Sequence, residues 1–239
     1  MKVCWFSAGV SSFVACYLAQ EVDAIYYIDI EDQHADSQRF VADCSRVLRK
    51  EIERLQSPYK NVENVCLANR YVNGPAGAKC TQILKKRVRK KWESEHPGRH
   101  TYIWGFDVNE KARAERLVES MPEFDHEFPL IERGVTKKEA HGICASLGLG
   151  RPKMYDLGYS NNNCVGCVKG GMGYWNKIRV DFPEVFKKRA KMERAIGRSC
   201  IKGVFLDELD PKAGRMTEEI LPECGIACEL LDTEVLLGE

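Results

Sequence analysis

The sequence lacks long apolar runs and internal repeats, and its net charge is only +1. No apolar run approaches the roughly 20 residues that a bilayer-spanning helix needs. The first six residues lead directly into a polar segment at Ser7, without the longer apolar core and cleavage site of a secretory signal. Lys and Arg total 36, and Asp and Glu total 35, so net charge indicates neither a nucleic-acid nor a membrane partner. We therefore expect a cytoplasmic protein with no membrane partner.

Cysteine, by contrast, is abundant, with 11 residues in a chain of 239. The cytoplasm keeps thiols reduced, which argues against structural disulfides. Six cysteines are expected to be buried as small hydrophobic side chains, namely Cys4, Cys16, Cys44, Cys66, Cys144 and Cys200. The other five lie among Gly, Asn, Lys and Glu and require a chemical explanation: Cys80, Cys164, Cys167, Cys224 and Cys228.

The order of apolar segments predicts an α/β fold. Strands alternate with helical stretches, which favours a mainly parallel five-stranded sheet with helices on both faces. The strands are predicted at residues 3–6, 24–28, 62–67, 100–106 and 127–131, and two helices at 37–55 and 183–196. We expect a nucleotide-binding domain, residues 1–150, and a Cys-rich helical extension, residues 151–239, packed on it.

Ligands of such sheets bind beyond the carboxyl ends of the strands. This places residues 7–12, Asp29 and residues 105–107 on one edge of the sheet. The first of these segments, Ser7-Ala8-Gly9-Val10-Ser11-Ser12, is a small-residue turn that would direct backbone N–H groups and a helix dipole at an anion. An ordinary turn between a strand and a helix could have the same composition.

This segment resembles the SGGxDS loop of the ATP pyrophosphatases and the looser loops of the phosphoadenosine-phosphosulfate (PAPS) reductase family. The resemblance implies an adenine nucleotide alpha-hydrolase-like fold whose loop binds the phosphates of ATP or PAPS. It also implies a Mg²⁺ ion held by Asp29 or Asp32. Ala8 replaces a family glycine, which is acceptable if its φ is negative. Ser11 replaces the aspartate and removes a carboxylate that would position a metal.

Residues 105–116 carry a second resemblance to the PAPS reductase family, to its stretch G-x-R-x-[DE]-[EQ]-S-x-x-R. The resemblance implies that Gly105 lies beside the nucleotide. Asp107 stands where the family has arginine, so Arg113 or Arg116 would supply the phosphate contact. The alternative is an amphipathic helix with a solvated charged face. Thr136 and Glu139 match a later family segment, and they also form a capping-box pattern at a helix start.

The five remaining cysteines predict a metal or redox site. Cys164-Val165-Gly166-Cys167 places two thiolates on one tight turn, as zinc and iron–sulfur sites require. In the assimilatory adenylylsulfate reductases, a Cys-Cys pair and a distant C-x-x-C hold a four-iron cluster. The resemblance implies such a cluster on Cys80, Cys164 and Cys167, with one iron left open as in tRNA-thiolating relatives. Zinc and a purely redox C-x-x-C stay open.

The tail adds a third pair, Cys224 and Cys228. Glu223-Cys224-Gly225 resembles the tail whose cysteine is the nucleophile of the sulfonucleotide reductases, although Ala227 replaces their histidine. Cys224 and Cys228 could equally complete a four-thiolate metal site.

Six of the seven residues 85–91, Lys-Lys-Arg-Val-Arg-Lys-Lys, are basic. A cation density this high attracts polyanions, and Trp92 could stack on a base. A solvated helix face, with Trp92 packed in the core, is the alternative.

Three functions follow. The first is an ATP pyrophosphatase that adenylates DNA or tRNA for sulfur incorporation, using Asp29, Cys80 and a persulfide donor such as a cysteine desulfurase. The second is a PAPS or adenylylsulfate reductase in which Cys224 attacks sulfur and sulfite is released. The third is a non-catalytic, metal-binding partner protein. The sequence leaves a homodimer open.

Overall fold

Five parallel strands form the centre of the fold. The computed structural model describes residues 1–74 and 77–217. The strands are β1 (Lys2–Phe6), β2 (Ala24–Asp29), β3 (Ile52–Gln56), β4 (Thr101–Ile103) and β5 (Asp125–Glu127). They pair in the order β3-β2-β1-β4-β5, and every pairing is parallel. The predicted five-stranded parallel α/β fold is confirmed.

Helices follow or connect the strands. They are α1 (Val10–Leu18), α2 (Asp36–Leu48), α3 (Val62–Asn69), α4 (Lys79–Thr81), α5 (Arg87–Glu95), α6 (Lys111–Ser120), α7 (Pro129–Glu132), α8 (Lys137–Ser146), α9 (Lys153–Asp156), α10 (Met172–Asp181) and α11 (Pro183–Ile196). A π-helical segment, Gln82–Lys86, joins α4 to α5. None of the helices in the described ranges is both long and apolar enough to cross a membrane.

The central strands of the sheet are buried on both faces. Alternate side chains of a strand point to opposite faces, and those of β1 enter two separate hydrophobic cores. Val3 and Trp5 pack with residues of α3, α5, α6, α10 and α11. Cys4 and Phe6 pack with residues of α1, α2 and α8. Burial on both faces explains why the central strands are nearly all apolar in sequence.

Of the elements predicted at residues 37–67, the first part of the helix is confirmed and the rest was wrong. Helix α2 ends at Leu48, where Arg49 adopts a left-handed conformation with φ 50°, and residues 52–56 are strand β3 rather than helix. Residues 62–67 belong to helix α3 rather than to a strand. Its start is fixed by Asn61, whose side chain accepts a hydrogen bond of 2.9 Å from the N–H of Asn64. The last strand, predicted at residues 127–131, instead spans Asp125–Glu127, because Pro129 begins α7.

The expectation of no structural disulfide is contradicted at one position. Cys4 on β1 and Cys16 on α1 form a disulfide, with their Cα atoms 6.1 Å apart. Helix α1 packs back against β1, and this brings the two side chains together. Both residues are buried, as are Cys44, Cys66, Cys144 and Cys200, so the predicted burial of these six is confirmed.

Candidate nucleotide and thiol site

The turn of residues 7–12 lies at the carboxyl end of β1, the central strand. The Ser12 hydroxyl organises it by accepting hydrogen bonds from the N–H and the hydroxyl of Ser7, at 3.1 and 3.0 Å, and by donating to the Gly9 carbonyl at 2.9 Å. Helix α1 starts at Val10 without a side-chain cap. An uncapped helix start at the end of a parallel strand is the arrangement that binds phosphate groups.

Tyr155 of α9 lies against this turn. Its hydroxyl is 3.4 Å from the backbone nitrogen of Val10 and accepts that N–H. A phosphate group bound at the turn would have to share or replace this hydrogen bond. Sequence analysis did not identify Tyr155, because the contact spans 145 residues and depends on how the chain returns to the sheet.

Ala8 does not have the negative φ that an alanine at this position would prefer. Its φ is +58°, the left-handed region in which an alanine is less stable than a glycine by about 1–2 kcal/mol. The conformation persists because the turn is held by Ser12 and by Asn162, whose side-chain amide donates to the Ala8 carbonyl at 2.8 Å. The replacement of glycine therefore leaves local strain in the turn.

Ala8→Gly is expected to raise the free energy of unfolding by about 0.5–1 kcal/mol, because the relief of left-handed strain exceeds the loss of one buried methyl group. Urea denaturation of the two proteins measures the difference. Ala15→Gly, in the middle of α1, is the matched control and should lower stability by about 1 kcal/mol. Equal destabilisation by both substitutions would contradict the left-handed geometry at Ala8.

The second motif lies beside the turn, as predicted. A Cβ atom on Gly105 would be 2.6 Å from both the Cα and the nitrogen of Ser12, so the chain after β4 contacts the start of α1 directly. Asp107 caps the short helical turn that follows, accepting from the N–H of Asn109 at 2.7 Å. Asp107 thus has a structural role at the start of this turn.

Arg113 has other partners in this structure. Its guanidinium is 4.4 Å from the centre of the Phe106 ring and forms a 2.6 Å ion pair with Glu110. Arg116 is exposed on α6. The phosphate contact assigned to either arginine stays a prediction.

The two candidate metal carboxylates occupy different environments. Asp29 ends β2, is 24% exposed, accepts a 2.9 Å hydrogen bond from Gln38 and lies 3.9 Å from the half-exposed Arg54 guanidinium. Asp32 instead pairs with the buried Arg189 and accepts the N–H of Val62 at 2.5 Å. Asp29 is therefore the better placed oxygen ligand for Mg²⁺, and Asp32 is a structural anchor. Burial, and then the charge of Asp29, raises the pKa of the neighbouring Tyr27 well above its usual value.

The C-x-x-C segment returns to the same edge of the sheet. Asn162, which is 6% exposed, donates to the Ala8 carbonyl at 2.8 Å and to the Ser37 hydroxyl at 3.0 Å. The N–H of Val165 donates to the Asp32 carbonyl at 2.7 Å. Segment 158–173 is thus attached to the chain after β1 and after β2. The contacts of Asn162 were not predicted, although the run Asn161-Asn162-Asn163 beside Cys164 marked the segment as unusual.

Three of the predicted cysteines line one cavity. Cys80, at the start of α4, and both cysteines of the C-x-x-C line an apolar cavity, named here the thiol cavity, with an empty volume of about 320 Å³. The cavity is also lined by Ile30, Val62, Leu84, Lys85 and Val168. Cys80 and Cys167 are buried, whereas Cys164 is half-buried. The hydroxyl of Tyr174 fixes the turn by accepting the N–H of Cys167 at 2.9 Å and donating to the Cys164 carbonyl at 3.3 Å.

The donor chemistry of this cavity suits soft metals, but no complete site is formed. Within residues 1–74 and 77–217, no three His, Cys, Asp or Glu side chains are arranged to hold a metal ion. Cys224 and Cys228, the other predicted ligands, lie outside the described residues. The cluster and the zinc alternative therefore stay predictions.

The remaining thiols are not suited to nucleophilic chemistry. Burial raises the pKa of Cys66 and of Cys144 to about 11, and burial also raises the pKa of Cys44 and Cys200. A thiol must ionise to attack an electrophile or to ligate a metal. These four are therefore packing residues at neutral pH, as predicted.

The basic run of residues 85–91 does not form a continuous charged surface. Arg89 and Lys86 are buried, at 1% and 6% exposure, and Lys91 pairs with Glu95 at 3.7 Å. Trp92 is 3% exposed and packs edge-on against Trp5. Base stacking by Trp92 is thus contradicted, because a helical period of 3.6 turns its side chain into the core.

No protein-family model matches this chain, and no curated protein and no solved structure matches it. The turn of residues 7–12, Asp29 and the thiol cavity are therefore interpreted from their own geometry.

Proposed function

We propose that this protein is an adenine-nucleotide-dependent sulfur-transfer enzyme. The turn of residues 7–12 binds the phosphates of ATP, Asp29 holds the accompanying Mg²⁺, and the cysteines of the thiol cavity carry sulfur. The acceptor is a nucleic acid, either tRNA or DNA. One observation carries the proposal: Asn162 links the phosphate-binding turn directly to the segment that bears Cys164 and Cys167.

The juxtaposition of these two parts fits a two-step reaction. An oxygen of the acceptor attacks the α-phosphorus of ATP, and pyrophosphate leaves from the turn at residues 7–12. A persulfide sulfur on a cysteine then displaces AMP and forms a bond to the acceptor. A neighbouring thiol cleaves the resulting S–S bond, which leaves the sulfur on the acceptor and a protein disulfide that a thiol reductant must reduce.

Each residue has a stated physical role. The helix dipole of α1 and the N–H groups of its first turn attract the pyrophosphate oxygens, which replace the Tyr155 hydroxyl at Val10. Asp29 supplies the hard oxygen ligand that Mg²⁺ prefers. Cys164 is half-buried and lines one cavity with the buried Cys80 and Cys167, so we assign the exposed thiol to sulfur transfer and a buried one to resolving the disulfide. An iron–sulfur cluster or zinc would be held by Cys80, Cys164 and Cys167 together with Cys224 or Cys228.

Equilibrium binding of ATP·Mg²⁺ to wild type and to Ser12→Ala tests the nucleotide site. Ser12→Ala removes the hydroxyl that holds the turn, so the Kd for ATP is expected to rise at least about tenfold, which corresponds to roughly 1.4 kcal/mol. Ser45→Ala is the matched control, since the Ser45 hydroxyl donates to the Lys50 carbonyl, at 2.8 Å, at the far end of α2. Its Kd should equal that of wild type.

Product analysis distinguishes the remaining functions. Pyrophosphate release from ATP in the presence of tRNA or DNA supports the proposal, whereas sulfite release from PAPS indicates the reductase that the Cys224 resemblance implies. Absence of binding by ATP, PAPS and adenylylsulfate would contradict both and leave a thiol-rich binding protein. The absorption spectrum of anaerobically purified protein decides between iron and zinc.

A further inference from the structure

The disulfide between Cys4 and Cys16 encloses the turn of residues 7–12. Cys4 lies on β1, Cys16 lies on α1, and the whole turn lies between them in the sequence. The other cysteines of the described residues are free thiols. In the part of the chain that the structure describes, this disulfide is therefore the covalent link between the two elements that flank the turn.

Such a link is unusual in the cytoplasmic location that the sequence predicts. The cytoplasm keeps thiols reduced, and a disulfide that does form there usually has a catalytic or a redox-sensing role. Cys4 and Cys16 are 1% and 3% exposed, so neither sulfur atom can meet a substrate in the folded protein. A reductant reaches the two sulfur atoms when α1 opens locally, and this burial favours the sensing role.

Reduction changes the packing between β1 and α1. The two sulfur atoms then separate from bonding distance to van der Waals distance, and each gains a hydrogen atom. Both cysteines lie in one hydrophobic core with Phe6, Phe13 and Val14. A close-packed core has little room for such a separation and transmits the strain to the elements around it. One of the two elements must therefore move.

Helix α1 is the element that can move. Strand β1 is the central strand and is paired with β2 on one side and with β4 on the other. Helix α1 begins without a side-chain cap. Ala8, just before it, has a φ of +58°, a conformation that persists where the surrounding structure holds it. A shift of α1 displaces the N–H groups that are proposed to bind phosphate.

We propose that the Cys4–Cys16 disulfide is a redox switch for nucleotide binding, with tight binding of ATP in the oxidised protein and weak binding in the reduced protein. A dithiol supplies the two electrons. Its thiolate attacks one sulfur atom and releases the other as a protein thiol, and its second thiol then closes the oxidised reductant and releases the second protein thiol. The inference rests on the proposed function and adds the regulation of its nucleotide site.

Thermodynamic linkage gives the switch a second consequence. A disulfide that tightens ATP binding by a given factor must itself be favoured over the dithiol by the same factor when ATP saturates both forms. ATP·Mg²⁺ is therefore expected to make the Cys4–Cys16 disulfide harder to reduce at equilibrium. This result does not depend on the rate at which α1 opens.

Titration of the full chain with ATP·Mg²⁺, before and after treatment with dithiothreitol, tests the first consequence. Reduction is expected to raise the Kd for ATP at least about fivefold. Cys16→Ala cannot form the disulfide, so its Kd should not respond to dithiothreitol. Cys44→Ala is the matched control, because Cys44 is a buried free thiol of the same core, and it should respond like wild type.

Alkylation and peptide mass spectrometry, in buffers of graded oxidised and reduced dithiothreitol, test the second consequence. Saturating ATP is expected to shift the midpoint for the Cys4–Cys16 disulfide by the same factor as the change in Kd. An equal Kd for the oxidised and reduced proteins, a response retained in Cys16→Ala, an unshifted midpoint, or free thiols at both positions in protein purified without reductant would overturn the switch alone. Absence of ATP binding by the oxidised protein would overturn the nucleotide site together with the switch.

Discussion

Arg189→Met is expected to lower the free energy of unfolding by about 3–5 kcal/mol, because it leaves the charge of Asp32 without its partner in a largely buried position. Arg189 is 1% exposed and Asp32 is 13% exposed. The guanidinium also donates from Nε to the Gly166 carbonyl at 3.3 Å. Its removal therefore breaks the link between α11, the chain after β2 and the C-x-x-C turn in one step.

Guanidinium chloride unfolding, followed by circular dichroism, measures this loss. The matched control is Arg194→Met, five residues further along α11, where Arg194 is 43% exposed and pairs with exposed Asp207. Exposed pairs contribute about 0–1 kcal/mol, so the control should remain close to wild type. Similar losses from both substitutions would show that burial of the Arg189 pair does not determine its contribution.

The same variant has a second expected result. Because Gly166 lies between Cys164 and Cys167, loss of its hydrogen bond should loosen the turn. Alkylation of Cys167 in the folded protein should accelerate in Arg189→Met and stay at the wild-type rate in Arg194→Met. Peptide mass spectrometry measures the alkylation rate of Cys167 directly. An unchanged alkylation rate alongside a large loss of stability would mean that the hydrogen bond from Arg189 does not hold the C-x-x-C turn.

The sheet could be predicted from the sequence wherever burial on both faces left a nearly continuous apolar run. Residues 24–28 are such a run and became β2. Strand β3 was missed because it is an edge strand with only Ile52 buried among its five residues, so its pattern gives little strand signal. Helix α3 was missed because Val62, Val65 and Cys66 form an apolar segment of strand length. The cap at Asn61 is the feature that indicates a helix rather than a strand.

The candidate site was predicted in part. Residues 7–12 and Gly105 converge because parallel strands end at a common edge, which the order of segments already implies. The contacts of Asn162, Tyr155 and Arg189 could not be predicted, because each depends on the path by which residues 151–196 return to that edge. The burial of Arg89 and Trp92, in contrast, follows from their helical spacing of three residues on one face of α5.

Gly105→Ala is expected to lower stability by about 1–3 kcal/mol, because a methyl group would overlap backbone atoms that cannot move independently. The added Cβ would be 2.6 Å from the Cα and nitrogen of Ser12 and 2.9 Å from the carbonyl carbon of Ser11. The only relief is a shift of the start of α1 away from the chain after β4. That shift displaces the N–H groups proposed to bind phosphate, so the Kd for ATP should rise at least about tenfold.

Gly142→Ala is the matched control, because here the same substitution should raise stability instead of lowering it. Gly142 lies inside α8, and a Cβ there would have no atom within 4 Å, so alanine should stabilise the helix by about 0.5–1 kcal/mol. Thermal unfolding gives the sign of each change, and ATP titration gives the effect on the turn. If Gly105→Ala bound ATP like wild type despite its lower stability, the start of α1 would not be the phosphate site. The proposed reaction would then lose its nucleotide, and the thiol cavity would have to act without ATP.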